Sequence, residues 1–212
     1  CCKLAIKFMK KGALTNEQYD NELSINRDMD NDYIMPIIDI IEIVPDPFYK
    51  AIVMKKATGT DLFELIFNQG RLNEAVAVQV AYAGLMALDY LHTAGICHRD
   101  VKPENFFLMD DNTEQLDIVL ADFGHAIRFQ EGVPMTDIQI GTPVYKAPEI
   151  FKGEGCMFFI KIILRINYIF EKKKFNYIIN FKNYFFFFKN FSNIIDDKSV
   201  DIWSLGCGIY LA

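Results

Sequence analysis

What this chain lacks narrows what it can be. Its five cysteines, Cys1, Cys2, Cys97, Cys156 and Cys207, are odd in number and scattered without metal-type spacing. That argues against a zinc ribbon or a disulfide framework and for reduced thiols, so a cytoplasmic or nuclear location is expected. Excess positive charge is missing too. With 22 Lys/Arg against 28 Asp/Glu the net charge is −6, which weighs against a nucleic-acid or anionic-membrane partner. No signal peptide is visible. Cys1 stands where a start methionine would, and the final SLGCGIYLA breaks off within an apolar pattern, so a piece of a longer protein is expected. Apolar residues are not lacking: at 51% of 212 positions they suffice for a core in one large domain or two small ones.

One stretch departs from the rest. Residues 158–195 consist of Phe, Ile, Lys, Asn, Tyr and Leu, apart from Arg165, Glu171 and Ser192. These are residues whose codons can be written with A and T alone. The stretch holds seven Lys/Arg against one Glu, while the chain as a whole is acidic. A membrane span needs about 18 or more apolar residues without charge, and Lys161, Arg165, Lys172 to Lys174, Lys182 and Lys189 interrupt every window. A genuine loop so long and so rich in Phe and Ile would be an aggregation hazard. Residues 156–195 are therefore read as an insert, either translated non-coding sequence of an AT-rich gene or a disordered segment, and are set aside from fold reasoning.

Elsewhere the patterns are ordinary. Cys2–Met9 alternates as a strand. Thr15 with Gln18 three positions on is a capping-box signal for a helix reaching about Met29. Pro36–Val44 and Phe48–Met54 suit two strands separated by Pro45-Asp46-Pro47. A short helix is expected over Asp61–Asn68, ending at Gly70. Asn73 can cap a long helix whose Val76, Val80, Ala83, Ala87, Leu88 and Leu91 form one apolar stripe. Strands with one helix, followed mainly by helices, indicate an α+β protein in two lobes hinged near Lys55–Thr60.

GICHRDVKPENFFL, residues 95–108, sets Asp100, Lys102 and Asn105 between apolar runs. Polar groups left unpaired there would be costly, so the cluster is expected to meet a phosphate, a metal ion and a hydroxyl. Five further motifs surround it in the chain: LAIK (4–7), NE (21–22), ADFG (121–124), GTPVYKAPE (141–149) and DIWSLG (201–206). Each alone is a weak sign. HRDVKPEN (98–105) and these five, in order and at plausible spacing, make the chain resemble a eukaryotic-type protein kinase domain over residues 1–155 and 196–212.

The resemblance implies a two-lobed kinase fold truncated at both ends. Residues 1–56 would be a partial small lobe, 57–155 the large lobe with catalytic loop and activation segment, and 196–212 the start of a central helix. It implies Mg2+ and ATP as cofactors and a protein Ser/Thr hydroxyl as acceptor. Lys7 would reach the α- and β-phosphates, held by Glu22. Asp122 and Asn105 would offer oxygens to Mg2+, which favours such ligands. Asp100 would orient or accept the proton of the attacking hydroxyl, and Lys102 would offset charge on the transferred group. Met54 would be the gatekeeper, the backbones of Lys55 and Ala57 would meet the adenine edge, Ala5 and Phe107 would sandwich the ring, and Asp61 would meet the ribose. Asp201 would accept backbone hydrogen bonds from around His98 and Arg99.

Lys102 and Thr142 resemble Ser/Thr kinases, and residues 16–30 with the GTPVYKAPE segment lean toward the calcium/calmodulin-related group. Acidic Asp61 and Glu104 near the cleft imply a preference for basic residues upstream of the phosphorylated site. Arg99 suggests an anion that organises the activation segment, with Thr136 the nearest candidate phosphosite. Three departures bear on activity. The glycine-rich phosphate loop and its strands do not precede Lys7, exposing a strand edge. Glu149 lacks the arginine that the family's last helices supply, at about 3–5 kcal/mol if it is left buried and unpaired. Asn26 stands one turn after Glu22 where an apolar residue is usual, and is expected to weaken the active arrangement. The chain taken alone is thus expected to be inactive, and the alternative function is a pseudokinase-like scaffold that binds partners without catalysis.

Overall fold

The computed structural model describes residues 3–13, 15–43, 45–112, 114–129, 140–146 and 199–211. The 156–195 insert, Thr136 and Glu149 lie outside these residues, as do Cys1 and Cys2.

Alternation along LAIKFMK builds strand β1 (Leu4–Lys10), with Ala5, Lys7 and Met9 turned one way and Leu4, Ile6 and Phe8 exposed on the other. β1 pairs antiparallel with β3 (Phe48–Lys55), and β2 (Ile37–Ile41) pairs with the far side of β3, giving the order β1-β3-β2. β1 is therefore an edge strand, as expected. β2 is shorter than the sequence suggests; Ile43 beyond it is 92% exposed and has no core to join.

Helix α1 (Asn16–Arg27) starts where the capping box predicts. Thr15 Oγ1 accepts from the Gln18 N–H at 3.2 Å, and Gln18 Oε1 accepts from the Thr15 N–H at 2.9 Å. The helix lays Tyr19 and Leu23 against Met9 and Ile52 in the small-lobe core, while Ile25 enters the larger core below. Asn26 is buried, and its Nδ2 donates to the Glu22 carbonyl at 2.8 Å, so the helix itself takes up that donor. Thr15→Ala should remove about 1 kcal/mol of stability. Urea denaturation checks this, and an unchanged midpoint would mean that packing alone holds α1.

Asp61 and Asn73 cap the next two helices, α2 (Leu62–Gln69) and α3 (Glu74–Thr93), through hydrogen bonds from the Glu64 and Val76 amides at 2.8 and 3.0 Å. Gly70 ends α2 at φ 75°, the left-handed region that glycine enters without strain. The whole predicted stripe of α3 is buried. α3 is long and apolar enough to cross a membrane, yet that stripe is the spine of the large core. The last described helix, α4 (Ser199–Leu211), crosses α3 at Gly84, where an added Cβ would lie 2.6 Å from Leu205 Cδ1.

Short ladders place the functional loops. β4 (Ile96–Cys97) pairs with β7 (Ile127–Arg128), and β5 (Phe106–Leu108) pairs with β6 (Ile118–Leu120). The lobes are stitched at β6, whose Leu120 accepts from Met35 N at 2.9 Å and donates to Tyr33 O at 2.8 Å.

Candidate active site

Two charge clusters are linked through Asn105 at the end of the β5–β6 ladder. In the first, Lys7 Nζ on β1 lies 2.6 Å from Glu22 Oε1 on α1 and 2.8 Å from Asp122 Oδ1 after β6. Glu22 is 2% exposed, whereas the Asp122 side chain is 46% exposed. Burial works against the lysine's charge, but the two carboxylates outweigh it and hold the Lys7 pKa above its usual value. Burial likewise pushes Asp122 up, and Lys7 more than offsets that, leaving Asp122 below the usual carboxylate range. Asp122 sits at φ 65°, a conformation that costs a non-glycine residue about 1–3 kcal/mol. Phe123, buried against the His98 ring at 5.2 Å between centroids, helps secure it.

The second cluster centres on Asp100. Lys102 Nζ lies 2.7 Å from its Oδ2, and Oδ1 accepts from the Thr142 amide at 2.9 Å and the Thr142 hydroxyl at 2.7 Å. Lys102 Nζ also donates to Thr142 Oγ1 at 3.1 Å. Burial alone would raise the Asp100 pKa, yet contacts from His125, Lys102 and Thr142 hold it well below the usual carboxylate range. Asn105 ties the clusters together. Its Nδ2 donates to the Asp100 carbonyl at 2.8 Å, and its own carbonyl accepts from Ala121 N at 2.9 Å, next to Asp122. With the amide nitrogen occupied, the side-chain oxygen remains available to a cation.

The loop bearing Asp100 is held from beneath. Asp201 on α4, fully buried, accepts from His98 N at 2.8 Å and Arg99 N at 2.7 Å. Arg99 itself adopts φ 65°. His98 accepts from the Asp100 amide at Nδ1, 3.3 Å, which leaves its Nε2 hydrogen for the Ala121 carbonyl at 3.1 Å.

The expected adenine-site residues also gather. Ala5 pairs across the sheet with Met54, and Met54, Ala57 and Phe107 pack together against buried Met35, Met109, Val119 and Ala121. Lys55 N–H is committed to Pro36 O at 3.0 Å, so this amide is not free for a ligand. Asp61 bridges backbone to backbone with Phe107, and one of its carboxylate oxygens is spent capping α2.

Among the described residues no three His, Cys, Asp or Glu side chains gather to hold a metal by themselves. The oxygens of Asp122 and Asn105 still fit Mg2+, which keeps several waters and shares its ligands with phosphates. Sequence reasoning missed the clamp that Thr142 places on Asp100, the share of His92 in Asp201 (Nε2 to Oδ2, 3.0 Å) and the position of His125. For Thr142 the signal was at hand in GTP, read only as a mark of kinase class.

Gly141 makes the clamp possible. It has φ 103°, and a Cβ there would lie 2.3 Å from the Arg99 carbonyl. Gly141→Ala should cost about 1–3 kcal/mol through backbone strain. It should also raise hydrogen exchange at the Thr142 amide; unchanged exchange would show that the clamp does not depend on this close approach.

Residues 1–158 match the family model of the protein kinase domain, and the chain belongs to that family. Calcium-dependent protein kinase 3 of Plasmodium yoelii yoelii is 33% identical over 150 residues, covering 70% of this chain and 27% of that protein. CBL-interacting serine/threonine-protein kinase 24 of Arabidopsis thaliana is 33% identical over 156 residues, covering 72% of this chain and 33% of that protein. The chain thus spans about a quarter to a third of the length of these relatives.

Proposed function

We propose that the protein carrying this chain is an ATP-dependent serine/threonine protein kinase, transferring the γ-phosphoryl group to a hydroxyl of a protein substrate inside the cell. The observation that carries this reading is the bridge from Lys7 to both Glu22 and Asp122, linked through Asn105 to the Asp100–Lys102–Thr142 cluster. A scaffold without catalysis has no physical need to hold these groups in register.

Lys7 would meet the α- and β-phosphates, its orientation set by Glu22. Asp122 and Asn105 would hold Mg2+, whose charge offsets that of the phosphates. Asp100, held ionised by its donors, is a weak base. It would therefore orient the acceptor hydroxyl and take its proton late, once bonding to phosphorus is advanced. Lys102 would balance charge at the transferred group. Among the described residues Glu104 Oε2 is buried without a hydrogen-bond partner, which supports a substrate with basic residues upstream of the acceptor, completing that carboxylate.

Thermal unfolding of the full-length protein tests the reading. Mg-ATP at about 100 times its Kd should add about 2.7 kcal/mol of stability. Asp122→Asn should abolish the Mg2+ dependence, and Ser/Thr peptides bearing Arg or Lys upstream should be phosphorylated fastest. No Mg-dependent shift and no turnover would overturn the proposal, and a peptide array without basic preference would remove the substrate class alone. The 212-residue chain by itself is expected to turn over little, because among the described residues β1 is a bare edge beside Lys7. Robust turnover would contradict that.

A further inference from the structure

Oxygen Oδ2 of Asp100 has two neighbours of different kinds. Lys102 donates to it at 2.7 Å, and the imidazole of His125 stands beside it with Nδ1 3.6 Å away. Oδ1 is already taken by both donors of Thr142. An incoming hydroxyl must therefore use Oδ2, on the side that His125 borders. At 3.6 Å no hydrogen bond is made; the ring is close enough to form one with a small side-chain rotation.

The backbone of His125 is fixed on both sides. Arg99 Nε donates to its carbonyl at 2.7 Å, Ala126 N donates to Phe123 O at 3.0 Å, and Asn21 Nδ2 on α1 donates to Ala126 O at 2.8 Å. Its side chain is 47% exposed, so protons reach the ring freely. Among the described residues the charged groups nearest it on the catalytic loop are Asp100, Lys102 and Arg99. Asp122 and the Glu22 carboxylate on α1 come within 3.3 and 3.5 Å of where a Cβ on neighbouring Gly124 would be.

We propose that His125 is a positioning residue for phosphoryl transfer, acting through Asp100: as imidazolium it donates to Oδ2 and denies that oxygen to the acceptor hydroxyl, and as neutral ring it releases it. A neutral imidazole has a tautomer with no hydrogen on Nδ1, which presents a lone pair to Oδ2 and cannot compete for it. The contact therefore ties turnover to the charge of the ring, the one kind of side chain here that can either donate at Nδ1 or present a lone pair there. The inference rests on the kinase reading above and adds a control to it.

Two measurements test it. In the 212-residue chain, the Asp100 13Cγ resonance is followed from pH 5 to 8 in wild type and in His125→Gln, which keeps an amide donor but cannot gain a proton. A step in wild type, absent from the variant, is expected. In the full-length protein, kcat for a Ser/Thr peptide is measured over the same range. Wild type should fall about tenfold per pH unit on the acid side relative to His125→Gln, with the KM for ATP unchanged. A merely structural role would lower the variant's rate by one factor at every pH. A resonance step that persists in His125→Gln, or acid limbs that superimpose, overturns the proposal. A step lost in the variant, with no phosphotransfer by wild type at any pH, refutes the kinase reading and the catalytic role of His125 while the His125–Asp100 coupling stands.

Discussion

Replacing Asp201 by alanine should destabilise the protein by about 2–6 kcal/mol. Two buried backbone N–H groups, those of His98 and Arg99, would lose their acceptor, and each orphaned donor costs about 1–3 kcal/mol. The strained Arg99 backbone would lose the contact that holds it, so the loop bearing Asp100 should relax as well. Against a domain's total of about 5–15 kcal/mol this is a large share. A pH dependence follows from the same contacts. Burial alone would raise the Asp201 pKa, but the contact with His92 and the backbone donors outweigh it, and the folded-state value lies below the usual one. A carboxyl depressed on folding contributes stability that is complete above its unfolded pKa, about 3.9, and is lost as pH falls through the folded value. Asp201→Asn, which keeps one acceptor oxygen and no charge, should therefore differ from wild type most at pH 7 and progressively less below about pH 4. Urea denaturation at both pH values decides this. A constant gap, or an alanine variant that loses less than about 1 kcal/mol, would show that the buried carboxylate is not the anchor.

The Lys7–Glu22 pair should behave differently when broken and when replaced. Lys7→Met leaves Glu22, 2% exposed, without its cation. Breaking a buried pair costs about 3–5 kcal/mol; because the Lys7 side chain is 38% exposed, about 2–3 kcal/mol is expected here. The double change Lys7→Met with Glu22→Leu should recover most of that loss, since no charge is then stranded. Stabilisation by Mg-ATP should vanish in both variants. Recovery of stability without recovery of the nucleotide effect would separate the two roles of Lys7, as structural partner and as phosphate ligand. A double variant as unstable as Lys7→Met would mean that Glu22 matters through its packing and not its charge.

Much of the fold was legible because it is written locally. The Thr15–Gln18 box, the caps at Asp61 and Asn73, the stop at Gly70 and the α3 stripe are all patterns that span a few residues, and helix geometry turns that spacing directly into contact. The partner of Asn26 is local as well, the carbonyl of Glu22 one turn back in the same helix. The ends of β2 were overdrawn because residues 42–44 continue the apolar tendency of the strand, and only the packing shows that Ile43 has nothing to bury against.

The site was legible in composition but not in arrangement. The motifs named Lys7, Glu22, Asp100, Asn105 and Asp122 as residues whose chemistry suits a bound phosphate and metal, and Asp201 as the acceptor for the loop backbone. They were silent on His125 as the neighbour of Asp100, a pairing that leaves no short-range trace, and GTP marked Thr142 without naming its partner.

By itself the sequence determined where α1, α2 and α3 begin and which side chains carry charge suited to phosphoryl transfer, but not the short β4–β7 and β5–β6 ladders. Tertiary structure alone decided that Lys7 and Asp122, 115 residues apart in the chain, end 2.8 Å from each other, and that Thr142 reaches back 42 residues to Asp100. Local order follows from backbone geometry and spacing. Meetings at such separation depend on the whole chain closing its loops around a shared core, where burial of apolar surface offsets the entropy of bringing distant groups together.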